Sequence, residues 1–167
     1  ITYKPVDMGR VFAATGGLPL GQRSEARKAY RLQELPRTAK KTGLPLTLHP
    51  AHFPTNPAPS SYAIIAAQKA GGGDIGALVR YLLAACWAEE KNIAEDDVIR
   101  ACLSRAGFDP ALADKGLLDG AMAYEANTDE AITRGAFGAP FYITDTDERF
   151  WGQDRLEDLD AYLAGAL

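Results

Sequence analysis

The clearest pattern along the chain is a stripe of apolar residues in its middle. Apolar side chains recur there at i, i+3, i+4, i+7, i+8 and i+11, which is the period of an amphipathic α-helix. The stripe consists of Ile75, Leu78, Val79, Leu82, Leu83 and Cys86. Asp74 directly precedes it and is a suitable N-cap. Ser60 or Ser61 is a candidate cap for an earlier helix, and residues 95–107 and 117–134 read as two more. The middle of the chain is therefore predicted to be all helical.

The N-terminal part combines β-type and helical patterns. Residues 1–8 begin with alternating apolar and polar side chains, which predicts a half-buried strand. A helix is predicted to start at Ser24 and to end at Gly43, with a kink or break at Pro36, because proline lacks the backbone donor. Residues 44–48 form a short apolar run that favours a strand or an extended segment.

The pattern changes again after Gly135. Residues 141–144 and 149–151 surround a polar turn and predict a β-hairpin, and the last residues predict a helix that presents Leu156, Leu159 and Leu163. This order of elements fits an α/β fold, namely a thioredoxin-like sheet with an all-helical insertion. The first strand and first helix that usually belong to such a sheet are absent from the chain.

The same order predicts how the chain divides. Residues 1–48 and 135–167 are predicted to form the thioredoxin-like domain, incomplete at its N-terminus, and residues 60–134 the helical insertion domain. A length of 167 residues is enough for one domain with an insertion.

Composition and charge exclude several kinds of partner. Apolar residues make up 47% of the chain, but no apolar run approaches the ~20 residues that a membrane helix needs. The net charge is −4 and the basic residues are scattered, whereas binding to nucleic acid phosphates needs a concentrated cationic face. We therefore predict neither a membrane nor a nucleic acid partner.

The cysteines and histidines offer little metal or disulfide chemistry. Cys86 and Cys102 are too few and too far apart for a zinc site or a disulfide framework. They are expected to be buried thiols in a reducing compartment, which indicates a cytoplasmic protein. His49 and His52 have no cysteine or carboxylate cluster beside them. No metal site is predicted.

Two segments near the C-terminus are candidates for ligand binding. In the first, Pro140 opens a strand after a small residue, Ala139, and is a candidate for a cis peptide bond. The N–H and C=O groups of Ala139 would then be available to pair with an extended peptide. A tight turn that simply feeds the hairpin is the alternative.

The second segment runs from Phe150 to Arg155, where a strand gives way to a helix. Asp154 could accept a hydrogen bond from a ligand ammonium group at the helix start. The alternative is that Asp154 is only the N-cap of the final helix, with Glu157 completing a capping box.

Taken together, these segments resemble a known family. Gly-Ala-Phe-Gly-x-Pro at 135–140, followed by Phe-Trp-Gly-x-Asp-Arg at 150–155, is similar to the C-terminal signature of 2-hydroxychromene-2-carboxylate isomerases and kappa-class glutathione transferases, which have a DsbA-like thioredoxin fold. The resemblance covers essentially the whole chain. Its upstream motifs are Phe12-x-x-Thr15-Gly16, Tyr30-x-x-x-Glu34-Leu35, Gly43-Leu44-Pro45 and Phe53-Pro54-x-Asn56.

The resemblance implies a glutathione-dependent cis–trans isomerase of aromatic degradation that works as a homodimer on a small aromatic pyruvate-type substrate. Glutathione would be a cofactor that is not consumed. The implied glutathione-binding residues are Ala139, Pro140, Gln153, Asp154 and Arg27, and the implied substrate-pocket residues are Phe53 and Asn56.

The resemblance also has two departures. Gly17 stands where the family usually has an asparagine near the ligand. The family's catalytic serine lies between a first strand and a first helix that this chain lacks, so it is expected upstream of residue 1 and no catalytic residue is assigned here. Three other functions remain open: a kappa-class-like transferase, a thiol–disulfide oxidoreductase of the same fold, and a non-catalytic binding module.

Overall fold

The computed structural model describes all 167 residues, most of them in helices. The helices are α1 (Met8–Thr15), α2 (Glu25–Thr42), α3 (Ala58–Ala70), α4 (Ile75–Trp87), α5 (Asp96–Arg105), α6 (Leu112–Lys115), α7 (Leu117–Thr133) and α8 (Leu156–Leu163). The strands are β1 (Phe141–Ile143) and β2 (Arg149–Trp151). Two short 3₁₀ turns span Leu20–Gln22 and Gln153–Arg155. None of the helices is both long enough and apolar enough to cross a bilayer.

The main core lies within the predicted helical block. It comprises Ala63, Ala67, Ala77, Leu78, Leu82, Ala85, Ile99, Cys102, Leu103, Ala106, Phe108 and Ala113. The apolar stripe of α4 contributes Leu78 and Leu82 to it, and Cys86 of the same stripe is also buried. Leu83, at the edge of the stripe, is 56% exposed. The helices over 95–107 and 117–134 are confirmed as α5 and α7, whereas the division of the chain into two domains stays a prediction.

The sequence predicted the N-cap of α4 correctly and the N-cap of α3 wrongly. The Asp74 cap is confirmed, since its Oδ1 accepts a hydrogen bond from the backbone N–H of Ala77 at 2.9 Å. The prediction that Ser60 or Ser61 caps α3 is wrong, because this helix starts at Ala58. Its first turn contains Pro59, which suits that position because the missing N–H has no helical partner there.

Residues 1–7 are not the predicted strand. No neighbouring strand pairs with them, and side chains of α3 and α7 satisfy their backbone instead. The side chain of Gln68 accepts from the N–H of Tyr3 at 2.8 Å and donates to its C=O at 3.0 Å. The N–H of Asp7 donates to Thr128 Oγ1 at 3.0 Å. The segment therefore lies against the helical core as an extended arm.

The region from α2 to residue 48 is loosely attached to the rest. The helix predicted from Ser24 to Gly43 is confirmed, but it continues through Pro36 without a break, and none of its residues is buried. Residues 44–48 form no strand. Thr47 anchors them through a hydrogen bond from its N–H to the C=O of Trp87 at 2.6 Å.

The predicted β-hairpin is confirmed. Strands β1 and β2 are antiparallel, with Phe141 opposite Trp151 and Ile143 opposite Arg149. The turn between them is held by Asp147, which accepts from Arg134 at 2.8 Å and from Arg149 at 2.5 Å. The backbone N–H of Gly152 donates to the C=O of Pro140 at 3.0 Å. This bond keeps the start of β1 next to the end of β2.

Candidate functional site

A cleft of about 730 Å³ lies between α2 and the two ends of the hairpin. It contains three residues that the sequence resemblance assigned to glutathione: Arg27 from α2, Ala139 from the segment before β1, and Gln153 from the turn after β2. The other lining residues are Arg23, Ala26, Tyr30, Arg31, Glu34, Leu35 and Thr38. The fold therefore brings together residues that are far apart in the sequence.

The α2 wall of the cleft is cationic. Arg27 and Arg31 are four residues apart and share one face of α2, and Arg23 lies just before the start of this helix. The Nε of Arg23 donates to the C=O of Leu18 at 3.0 Å. The guanidinium groups of Arg27 and Arg31 form no ion pair in the chain, and the only carboxylate that lines the cleft is that of Glu34. An anionic ligand would find a favourable field here.

The hairpin wall offers backbone groups. Neither the N–H nor the C=O of Ala139 makes a hydrogen bond within the chain, and the residue is exposed to the cleft. The Ala139–Pro140 peptide bond, a candidate for the cis form in the sequence, is cis. A second cis bond, Phe53–Pro54, was not predicted. Free N–H and C=O groups of this kind can pair with an extended peptide in the manner of an added strand.

Gln153 and Asp154 occupy different positions relative to the cleft. Gln153 lines it, and its side-chain amide makes no hydrogen bond within the chain. Asp154 is not among the lining residues, and its carboxylate pairs with Arg155 at 3.2 Å. The capping-box alternative for Asp154 and Glu157 is wrong, because a 3₁₀ turn intervenes and α8 has no side-chain cap.

A second, smaller cavity of about 280 Å³ adjoins the cleft. Phe53, one of the two residues assigned to the substrate pocket, lines this cavity. The second, Asn56, lines neither cavity, and its Oδ1 accepts a hydrogen bond from the N–H of Ala58 at 3.1 Å. Arg31 belongs to both cavities. The remaining lining residues are Leu20, Lys28, Leu32, Leu48, His49 and Pro50.

Aromatic rings border the smaller cavity at Arg31. The ring centroids of Phe53 and Trp87 are 4.5 Å apart. The guanidinium carbon of Arg31 is 5.9 Å from the first centroid and 5.6 Å from the second, within the range of a cation–π interaction. Partial burial, with a smaller contribution from the charge of Arg23, lowers the pKa of Arg31. The role of Arg31 was missed, although its spacing from Arg27 could have indicated it.

Both cysteines lie outside the two cavities. Cys86 of α4 and Cys102 of α5 are buried and free. Burial raises the pKa of each thiol. Since the reactive species in thiol chemistry is the thiolate, neither side chain is suited to nucleophilic or redox work.

The chain is similar to known proteins in both sequence and structure. The sequence model of the family described as "DSBA-like thioredoxin domain" matches residues 1–164. A "2-hydroxychromene-2-carboxylate isomerase" of Sphingobium xenophagum is 29% identical over 166 residues, which cover 98% of this chain and 82% of the relative. The solved structure of a "2-hydroxychromene-2-carboxylate isomerase (HCCA isomerase)" aligns with a TM-score of 0.75 at 25% identity, covering 98% of this chain and 79% of the other.

Proposed function

Because the chain belongs to the family of DSBA-like thioredoxin domains, we propose that it is a glutathione-dependent cis–trans isomerase of 2-hydroxychromene-2-carboxylate-type compounds. The relative and the structural neighbour are both named as isomerases of that compound. The observation that carries the proposal is that Arg27, Ala139 and Gln153 line one cleft.

The groups that line the cleft suit a tripeptide with two carboxylates. The free N–H and C=O of Ala139 can pair with the cysteinyl main chain. The guanidinium of Arg27 has no ion-pair partner in the chain and can bind a carboxylate in a bidentate manner. The side-chain amide of Gln153 both donates and accepts, so it can meet the γ-glutamyl end. The carboxylate of Asp154 pairs with Arg155 through Oδ2 and lies outside the lining of the cleft.

The chemistry divides between the cofactor and the protein. When bound, glutathione supplies a thiol nucleophile for reversible addition to a conjugated double bond, which permits rotation and leaves the thiol unchanged at the end. The cleft residues hold the tripeptide backbone and its charges in a fixed orientation, which lowers the entropic cost of the encounter. No catalytic residue is assigned within the chain.

A thiol–disulfide oxidoreductase fits the chain's own thiols poorly. Disulfide exchange needs an accessible thiolate, and both cysteines are buried with raised pKa values. A kappa-class-like transferase would use the same cleft but would consume glutathione, so turnover distinguishes it from the isomerase.

Turnover by the full-length protein tests the proposal. We expect 2-hydroxychromene-2-carboxylate to isomerise at a rate that rises with glutathione and then saturates, while free glutathione is recovered in full. S-methylglutathione, which lacks the thiol proton, is the matched control and should not support the reaction. Equal enzymatic rates with and without glutathione would contradict the proposal, and a stable glutathione adduct would indicate a transferase.

A further inference from the structure

Arg31 lies where the two cavities meet and is the one residue that lines both. Its guanidinium forms no ion pair and no hydrogen bond within the chain, although the residue is partly buried. A partly desolvated cation without a counter-ion costs free energy unless a ligand supplies the missing charge. The position is therefore suited to an anion that reaches the junction of the cavities.

The smaller cavity is electropositive and largely apolar. Its charged lining groups are Lys28 and Arg31, and no carboxylate lines it. Lys28 already pairs with Glu25 at 2.9 Å, so Arg31 is the cation left for a ligand. The apolar lining consists of Leu20, Leu32, Leu48, Pro50 and Phe53. A flat apolar body with a negative group at one end would complement this arrangement.

The N–H groups of Arg31 make no hydrogen bond within the chain, although two aromatic rings lie beside the guanidinium. Phe53 and Trp87 lie close to the guanidinium carbon, and a guanidinium that stacks on rings by its face keeps its N–H groups in the plane for other partners. Two parallel N–H donors match the two oxygens of a carboxylate. A lysine at this position would offer a point charge without that fit.

We propose that the smaller cavity holds the ring of an aromatic carboxylate substrate and that Arg31 binds its carboxylate, next to the larger cleft. The inference rests on the proposed function in assigning the larger cleft to glutathione. It makes Arg31 a specificity-determining residue, since an aromatic compound without the carboxylate would leave the guanidinium unpaired.

Calorimetric titration of the full-length protein tests this inference with two stable probes. Chromone-2-carboxylate carries the ring and the charge, and chromone-2-carboxamide has the same shape without the charge. We expect the carboxylate to bind about tenfold to a hundredfold more tightly, the usual range for a hydrogen-bonded charge. Arg31→Gln should bring this ratio close to one. Arg31→Lys keeps the positive charge and should retain part of the ratio between the two affinities. It therefore shows that a loss of the ratio in Arg31→Gln does not come from misfolding.

Arg37→Gln is the matched control. Arg37 lies on the same helix and over the ring of Tyr30 at 5.6 Å, but it lines neither cavity. The control should leave the ratio unchanged. Equal affinities of the two probes for the unmodified protein would overturn the inference, as would an equal loss in the Arg37 variant.

Saturating glutathione separates this inference from the proposed function. Binding of chromone-2-carboxylate should persist when glutathione is bound, because the two ligands occupy adjoining cavities. Displacement of the probe by glutathione would assign Arg31 to the glutathione site and overturn the inference. Failure of the unmodified protein to bind glutathione would contradict the proposed function, while the ratio of the two probes would still test Arg31.

Discussion

Replacing Ala139 by leucine is expected to weaken glutathione binding by about fivefold to 150-fold. The methyl group of Ala139 borders the cleft opposite Arg27, and the larger side chain would fill space that the tripeptide main chain needs. Overpacking of this kind typically costs about 1–3 kcal/mol, and each 1.4 kcal/mol is about a factor of ten in affinity. Calorimetric titration with glutathione measures the change.

The control for this experiment is Ala101→Leu, the same substitution at an exposed position of α5 away from both cavities. It should leave the affinity for glutathione unchanged. Circular dichroism of both variants checks that the fold is intact. Unimpaired binding by a folded Ala139→Leu protein would show that glutathione does not use this cleft.

Replacing Leu78 by alanine is expected to lower the free energy of unfolding by about 3 kcal/mol. Leu78 is fully buried at the centre of the helical core. Removing its side-chain methyl groups loses their transfer free energy and leaves a cavity, and such changes typically cost about 2–5 kcal/mol. Urea denaturation followed by circular dichroism measures the loss.

Leu83→Ala is the matched control, since Leu83 belongs to the same predicted apolar stripe of α4 but is 56% exposed. It should cost less than about 1 kcal/mol, because an exposed side chain buries little area. Equal losses at the two positions would mean that the core does not lie where the structure has it.

Elements with a strong local signal could be predicted from the sequence. The apolar period of α4 and the Asp74 cap fix that helix locally, and both are confirmed. The hairpin is also local, because its turn and its alternating strands are adjacent in the chain. The thioredoxin-like fold class and the family resemblance, which rested on ordered motifs over the whole chain, are confirmed as well.

Elements that depend on distant partners were harder to predict. Residues 1–7 alternate like a strand, but a strand exists only with a neighbour to bond, and here Gln68 and Thr128 side chains take that place.

Local signals also misled the prediction in two helices. Pro36 did not break α2, which continues through it. The start of α3 was predicted wrongly because two local signals compete there. Proline suits the first turn of a helix, and α3 starts at Ala58, between Pro57 and Pro59, instead of at Ser60 or Ser61.

The candidate site was predicted in part. Motifs indicated Arg27, Ala139 and Gln153, and the structure brings these three together. Asp154 and Asn56 bond to their own neighbours and line neither the cleft nor the smaller cavity, which a linear motif does not reveal. Its spacing from Arg27 could have indicated Arg31, but the contacts of Arg31 with Phe53 and Trp87, which are far away in the sequence, needed the structure.

The central claim is that glutathione binds between α2 and the hairpin ends, and an NMR titration of the ¹⁵N-labelled full-length protein tests it most directly. Reduced glutathione should shift the backbone amides of Ala139 and Gln153 together along one saturable curve, while the amide of Asp145 at the hairpin tip stays unchanged. Saturable binding that leaves Ala139 and Gln153 unmoved, or the absence of binding at millimolar glutathione, would contradict the account.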